Sequence, residues 1–213
     1  MKKYLIFDLD GTLTDSGLGI TNSVKYALEK YHIEVNNLND LNVFVGPPLK
    51  DSFSLYYGFS EQQALEAIGY YREYFLDKGM YENSVYPNVL ELLQKLKKNG
   101  KTLVIATSKP EPFTIKILKH FNLLQYFDLV CGASLDETID LKKEDIIRNA
   151  LKELNINVQD AIMIGDRKYD IIGAHKNNLD SIGVLYGYGS KEELIEAKVT
   201  YLASNTLDIL KFV

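Results

Sequence analysis

The apolar positions of this chain change their period along its length, and those changes mark out the elements. Residues 4–7, YLIF, are a continuous apolar run that stops at Asp8, the pattern of a strand buried on both faces. Over residues 16–31, Ile20, Val24, Ala27, Leu28 and Tyr31 recur at helical spacing. A polar link follows, YHIEVNNLNDLN, and then Val43-Phe-Val-Gly46-Pro47-Pro48-Leu49. Proline fixes φ and has no N–H to donate, so Gly-Pro-Pro predicts a rigid turn. Ser60-x-x-Gln63 is a capping-box pattern; Ala64, Ile68, Tyr71 and Phe75 mark one face of the helix it opens, and Lys78-Gly79 ends it. Residues 16–84 read as helices and turns, with no parallel strand among them.

From Pro87 onward strands and helices alternate. Pro87 starts a helix with Val89, Leu90, Leu93 and Leu96 on one face, closed by Lys97-Lys98-Asn99-Gly100. Apolar strands are expected at residues 103–106, 127–130, 161–164 and 181–185, separated by helices at 110–121, 143–154 and 169–177. A helix at 192–198, a short strand near Tyr201 and a last helix from about Leu207 complete the pattern. Continuous apolar strands linked by helices predict an α/β fold, a doubly wound parallel sheet covered on both faces. The expected division is an α/β core of residues 1–15 and 85–213, with residues 16–84 inserted as a small helical unit.

Composition narrows the class. With 46% hydrophobic and 25% charged residues the chain is that of a globular protein with a sizeable core. A net charge of -5 and a pI of about 5.3 argue against a nucleic-acid polymer as partner. Cys131 has no second cysteine to pair with, and no Cys/His cluster suggests zinc. Met1-Lys-Lys before YLIF resembles a signal peptide until Asp8 interrupts the run, and no later stretch is apolar enough to span a membrane. A cytoplasmic monomer or homodimer is the expectation.

The chemistry gathers where strands end. Directly after YLIF stands D-x-D-G-T-x-x-D, and strand alternation lets Asp8 and Asp10 face the same way. Carboxylates this close repel unless a cation lies between them or one holds a proton. Gly11 permits a sharp turn, and Asp15 suits a helix cap. The strand LVIA runs into Thr107-Ser108-Lys109, and AIMI runs into Gly165-Asp166-Arg167-Lys168-Tyr169-Asp170. In open α/β sheets ligands bind at just these carboxyl ends. Thr107 and nearby N–H groups could cradle phosphoryl oxygens, or Thr107 could simply cap the next helix. Asp166 and Asp170 offer hard oxygen ligands without thiol or imidazole, which suits Mg²⁺; acids that favour a helix N-terminus are the plainer reading. Lys142 and Lys143 are adjacent, and the helical register of Ile147, Ala150 and Leu151 favours Lys143.

These motifs, in this order, resemble those of the haloacid dehalogenase-like (HAD) superfamily over nearly the whole chain. The resemblance implies a Rossmann-like core, with the insertion as a C1 cap. Gly46-Pro47-Pro48-Leu49, Tyr71-Arg72-x-x-Phe75 and Glu82-Asn83-x-x-Tyr86-Pro87 look most like the phosphoglycolate phosphatase-like and 5′-nucleotidase-like branches. What it implies is Mg²⁺-dependent hydrolysis of a small phosphate monoester through an aspartyl-phosphate. Asp8 would be the nucleophile and Asp10, kept protonated, the general acid and base. Gly11, Thr107, Ser108 and Lys143 would contact phosphate. Asp8, Asp10 (through its backbone carbonyl), Asp166 and Asp170 would hold the metal. Gly46, Pro47, Pro48, Lys50 and Arg72 would choose the substrate, although Lys50 and Arg72 read equally as solvated charges. A 5′-nucleotidase or a sugar phosphomutase would share every motif. A receiver-like phosphoacceptor domain would be shorter and would carry its acceptor after a middle strand.

Overall fold

The computed structural model describes residues 2–136, 139 and 141–213. Its centre is a six-stranded parallel sheet. The strands are β1 (Tyr4–Phe7), β4 (Thr102–Pro110), β5 (Leu129–Ala133), β6 (Ala161–Gly165), β7 (Asp180–Val184) and β8 (Tyr201–Ala203), in spatial order β5-β4-β1-β6-β7-β8. Beside β1 lie β4 (Phe7 opposite Ile105) and β6 (Phe7 opposite Ile164). The winding reverses at β1, so its carboxyl end opens into the crevice of a topological switch point.

Alternation along the strands splits the core into two faces. Leu5, Phe7, Leu103, Ile105, Ile162 and Ile164 point to one side, under α4 (Val89–Lys98) and α5 (Glu111–His120). Ile6, Val104, Ala106, Ala161 and Met163 point to the other, under α6 (Lys143–Glu153) and α7 (Lys168–Lys176). Both faces are dry, which is why these strands show no polar alternation. A short α8 (Lys191–Glu196) and a 3₁₀ segment, Thr206–Lys211, finish the chain.

Between β1 and β4 the chain is helical: α1 (Gly17–Glu29), a 3₁₀ stretch Leu38–Phe44, α2 (Leu49–Tyr57) and α3 (Glu61–Tyr74). The capping box forms, with the Gln63 N–H donating to Ser60 Oγ at 3.3 Å and the Ser60 N–H to Gln63 Oε1 at 3.0 Å. α3 then widens into a π turn, Phe75–Gly79. The segment leaves and returns through a two-stranded antiparallel ribbon, β2 (Thr14–Asp15) with β3 (Ser84–Val85).

Two local readings shift, and one helix, α2, is not among those expected. The helix expected at Pro87 begins at Val89, because Asn88 takes a left-handed conformation, φ 65°. The strand expected at 127–130 begins at Leu129. Phe127 instead packs edge-on against Phe7, ring centres 6.3 Å apart, and the Asp128 carboxylate accepts from the Leu103 N–H at 2.8 Å. α2 carries little periodic signal, since only Ser52 and Phe53 of its residues are buried. Among the described residues no helix is long and apolar enough to cross a membrane.

Candidate active site

The sheet brings the expected residues to one place. Asp8 follows β1 directly, its N–H tied to the Ile164 carbonyl at 2.9 Å. The chain then folds back, with the Gly11 N–H donating to the Thr14 carbonyl at 2.8 Å. Gly11 sits at φ +78°, and a Cβ there would lie 2.2 Å from an Asp166 carboxylate oxygen, so no other residue fits. β6 delivers Asp166, and the first turn of α7 delivers Asp170. Asp8, Asp166 and Asp170 are all buried and can each present a carboxylate oxygen within 4.8 Å of the others.

Lys143, the first residue of α6, reaches into this cluster. Its Nζ lies 2.8 Å from Asp8 Oδ1 and 2.9 Å from Asp170 Oδ1, and donates to the Ala106 carbonyl at 3.1 Å. Lys142 is exposed, so of the two adjacent lysines only Lys143 faces the cluster. Burial pulls the Lys143 ammonium down, but Asp170 and Asp8 outweigh it, and its pKa ends above the ordinary lysine value. Burial pushes the Asp8 carboxyl up to about 6, with Lys143 opposing and Asp170 adding to the rise. Asp166 is held well above the carboxylate range by burial and then by Asp170 and Asp8. Such mutual repulsion in a dry site is what a bound cation relieves.

Residues that sequence reasoning passed over complete the site. Lys109 is buried and pairs with Asp10 Oδ2 at 3.0 Å, its Nζ 4.7 Å from the centre of the Phe75 ring. Asp10 thus faces an ammonium, where the resemblance implies surroundings that keep it protonated. Thr12 Oγ1 donates to Asp166 Oδ1 at 3.5 Å, and the Tyr188 N–H to Asp166 Oδ2 at 2.7 Å. The Tyr188 hydroxyl donates to the Asp15 carboxylate and accepts from the Gly17 N–H at 2.7 Å. Asp15 therefore braces the ribbon against the loop after β7, and α1 has no side-chain cap at Ser16.

A cavity of about 1070 Å³, its open mouth included, lies over this cluster. Its floor holds Asp8, Asp10, Thr107, Ser108 and Lys109. Its roof comes from the helical segment: Phe44, the turn Gly46-Pro47-Pro48-Leu49, Lys50, Tyr71, Arg72 and Phe75. Thr107 is buried and its hydroxyl accepts the Lys109 N–H at 3.3 Å, while Ser108 is half-buried. Lys50 pairs with Glu61 at 2.5 Å, and Arg72 Nη2 donates to the Leu135 carbonyl at 3.1 Å.

A sequence model of the haloacid dehalogenase-like hydrolases matches residues 5–184. The chain belongs to that family, as an enzyme of its phosphoric monoester hydrolase class. It is 43% identical to a 5′-nucleotidase of Pseudomonas aeruginosa, covering 94% of this chain and 90% of that one. It is 36% identical to tyrosine-protein kinase PtkA of Mycobacterium tuberculosis, over 98% of this chain and 71% of the relative. A phosphoglycolate phosphatase of Vibrio parahaemolyticus is 27% identical, over 99% and 96%. Among solved structures, one described as a predicted phosphatase from Clostridium acetobutylicum superposes with a TM-score of 0.95 at 57% identity, covering 99% and 96%.

Proposed function

We propose that this enzyme is a Mg²⁺-dependent phosphatase that hydrolyses a small phosphate monoester through an aspartyl-phosphate on Asp8. The observation that carries the reading is the placement of Asp8. It lies buried at a switch point, within reach of two further carboxylates and one lysine, and opens onto a roofed cavity. The cluster fits a hard cation. Three buried carboxylates, Asp8, Asp166 and Asp170, share the single ammonium of Lys143, which reaches Asp8 and Asp170 but not Asp166, and the available ligands are oxygens alone. Asp8, Asp166 and Asp170, with the Asp10 carbonyl, would hold the ion. When bound it would neutralise charge between carboxylates and phosphate.

The chain's own residues do the rest. Asp8 attacks phosphorus, and the ester oxygen leaves. Thr107 and Lys143 hold phosphoryl oxygens as charge redistributes, Ser108 and the Gly11 turn shaping the same pocket. Lys143 can exchange its ion pair with Asp8 for one with the phosphoryl group. Lys109 gains a second anionic partner when phosphate enters beside it, which releases Asp10 to carry the proton it gives the departing alcohol. Asp10 then takes a proton from the water that hydrolyses the aspartyl-phosphate. The helical segment acts as a cap that excludes bulk water and meets the leaving group.

Two substrate classes are open to the same chemistry, a phosphoglycolate-like ester and a nucleoside 5′-monophosphate. The second is favoured by the 43% identity to the 5′-nucleotidase, and the cavity wall includes the apolar side chains of Phe44, Tyr71, Phe75 and Phe113. Phosphate release from a panel holding both classes, with Mg²⁺ and with chelator, tests the reading. Release that persists in chelator, or from Asp8→Asn, would sink it.

A further inference from the structure

Arg167 stands next to Asp166, yet its side chain leaves the carboxylate cluster and crosses to the cap. Nη1 donates to the Val45 carbonyl at 2.5 Å, and Nε donates to Glu193 Oε1 at 2.9 Å. The same Glu193 oxygen accepts the Lys168 N–H at 2.8 Å, and the Glu193 N–H is tied to Ser190 Oγ at 3.0 Å. Arg167 is therefore aimed from behind by α8 before it reaches forward to the cap. Its own N–H donates to Asp170 Oδ2 at 3.0 Å, so one residue touches both the cap and a carboxylate of the cluster.

The cap side is shaped for this contact. Val45 is fully buried, and a buried carbonyl needs a donor. The residues beyond it are Gly46, Pro47 and Pro48, and prolines have no N–H to offer. Gly46 adopts φ +105°, and a Cβ there would stand 2.9 Å from Arg167 Cγ, so the glycine leaves room for the arginine stem. Arg72 also crosses from cap to core, to the Leu135 carbonyl, but on the exposed side. Arg167 is 9% exposed, and Val45 has this donor only while the turn is seated. A planar guanidinium braced at one end and donating at the other is well suited to fixing a distance.

We propose that Arg167 is a positioning residue that clasps the cap turn, residues 45–48, onto the β6–α7 junction that carries Asp166 and, in the first turn of α7, Asp170. The clasp holds the substrate-facing turn in register with the carboxylate cluster, so that selection by the cap and chemistry by the core share one geometry. This rests on the cavity being the active site. Its effect falls on leaving groups that reach the turn, and much less on a phosphoryl donor too small to touch it.

The test compares the full-length protein with Arg167→Met, Arg167→Lys and Gly46→Ala. Hydrogen exchange of residues 43–49 is followed alongside steady-state rates on acetyl phosphate and on the best ester of the panel. In Arg167→Met, exchange over 43–49 should rise about tenfold or more while β1 and β6 keep their protection. KM for the larger ester should rise by a similar factor, and kcat/KM for acetyl phosphate should change less than about threefold. Arg167→Lys, which can reach one acceptor but not both, should recover part of the KM. Gly46→Ala, with Arg167 intact, should loosen the same turn, and combining it with Arg167→Met should add little. It also answers the question if Arg167→Met fails to fold. Unchanged exchange over 43–49 would overturn the clasp, as would equal losses on both substrates with loss of protection in β6. If the wild type releases phosphate from no ester, the proposed function fails, and the exchange arm still decides the clasp.

Discussion

The cluster at the sheet ends and the cap that roofs it hold their charges in opposite ways. In the core, Asp8, Asp10, Lys109, Lys143, Asp166 and Asp170 are all buried, and each is held by main chain or by a partner of opposite sign. In the cap, Lys50 pairs with the exposed Glu61, and Arg72 meets a carbonyl near the surface. Charges in a dry site interact strongly and tolerate little displacement, whereas exposed ones are screened and replaceable. Phosphoryl chemistry needs the first condition, and discrimination among leaving groups is compatible with the second.

The comparison can be broken most directly at Asp8. Asp8→Asn keeps the shape and removes the attacking charge, so phosphate release should fall by about 10⁴-fold or more while circular dichroism stays unchanged. Near-normal turnover would end the covalent mechanism. Lys143→Met should be the most damaging to stability, because it strands Asp8 and Asp170 without their shared cation. Removing one partner of a buried pair costs about 3–5 kcal/mol, readable as a lower denaturant midpoint in chelator. Mg²⁺ should return part of that loss.

A pH experiment sharpens the same contrast. Burial and Asp170 raise Asp8 from 3.8 to about 6 against the pull of Lys143. A carboxyl with a raised folded pKa stabilises most below its unfolded value, and that contribution is lost as pH rises through about 6. The chelated protein should therefore lose this stabilisation between pH 4 and 7. Protons and Mg²⁺ compete for Asp8, so the rise in Tm on adding Mg²⁺ should be larger at pH 7 than at pH 5. An equal rise at both would argue that Asp8 is not a ligand. The smallest effects belong to the cap. Lys50→Ala and Arg72→Ala should shift KM, or the rank order of esters, by about threefold or less and leave kcat on acetyl phosphate unchanged. A hundredfold loss in either would move that residue from the screened class to the buried one.

How much could be read in the chain follows from the same physics. Asp8, Asp10, Thr107 and Asp166 sit at or just past the ends of apolar runs and Asp170 one helical turn beyond, so period and polarity mark the positions, while their roles follow from the resemblance. Lys143 faces inward while Lys142 does not, and helical register carried that distinction. Lys109 stands only two residues past Thr107, but its pairing with Asp10 depends on how β4 and β1 lie side by side. Arg167 and Tyr188 are harder still, because their partners, Val45, Asp15 and Gly17, are more than a hundred residues away in sequence. Tyr186-Gly-Tyr-Gly189 after β7 was the available signal for the Asp166 brace, a glycine-rich turn at one more strand end. α2 escaped because it covers the cap with few buried side chains, which leaves no amphipathic stripe.

The ribbon of β2 and β3 has a consequence for how this molecule can be taken apart. Asp15 stands opposite Ser84 across an antiparallel pair, where Cα atoms lie about 4.5–5.5 Å apart. Topologically, then, residues 16–83 are the loop of a β-hairpin whose stem follows closely on β1. Two residues such as Asn-Gly are enough to close a stem of that kind. A chain rejoined in this way would keep the sheet and its carboxylate cluster and lose the roof of the cavity, and a replacement segment with closely spaced ends would have to cover again the apolar surface that Ile20, Phe44 and Phe75 now share with the sheet.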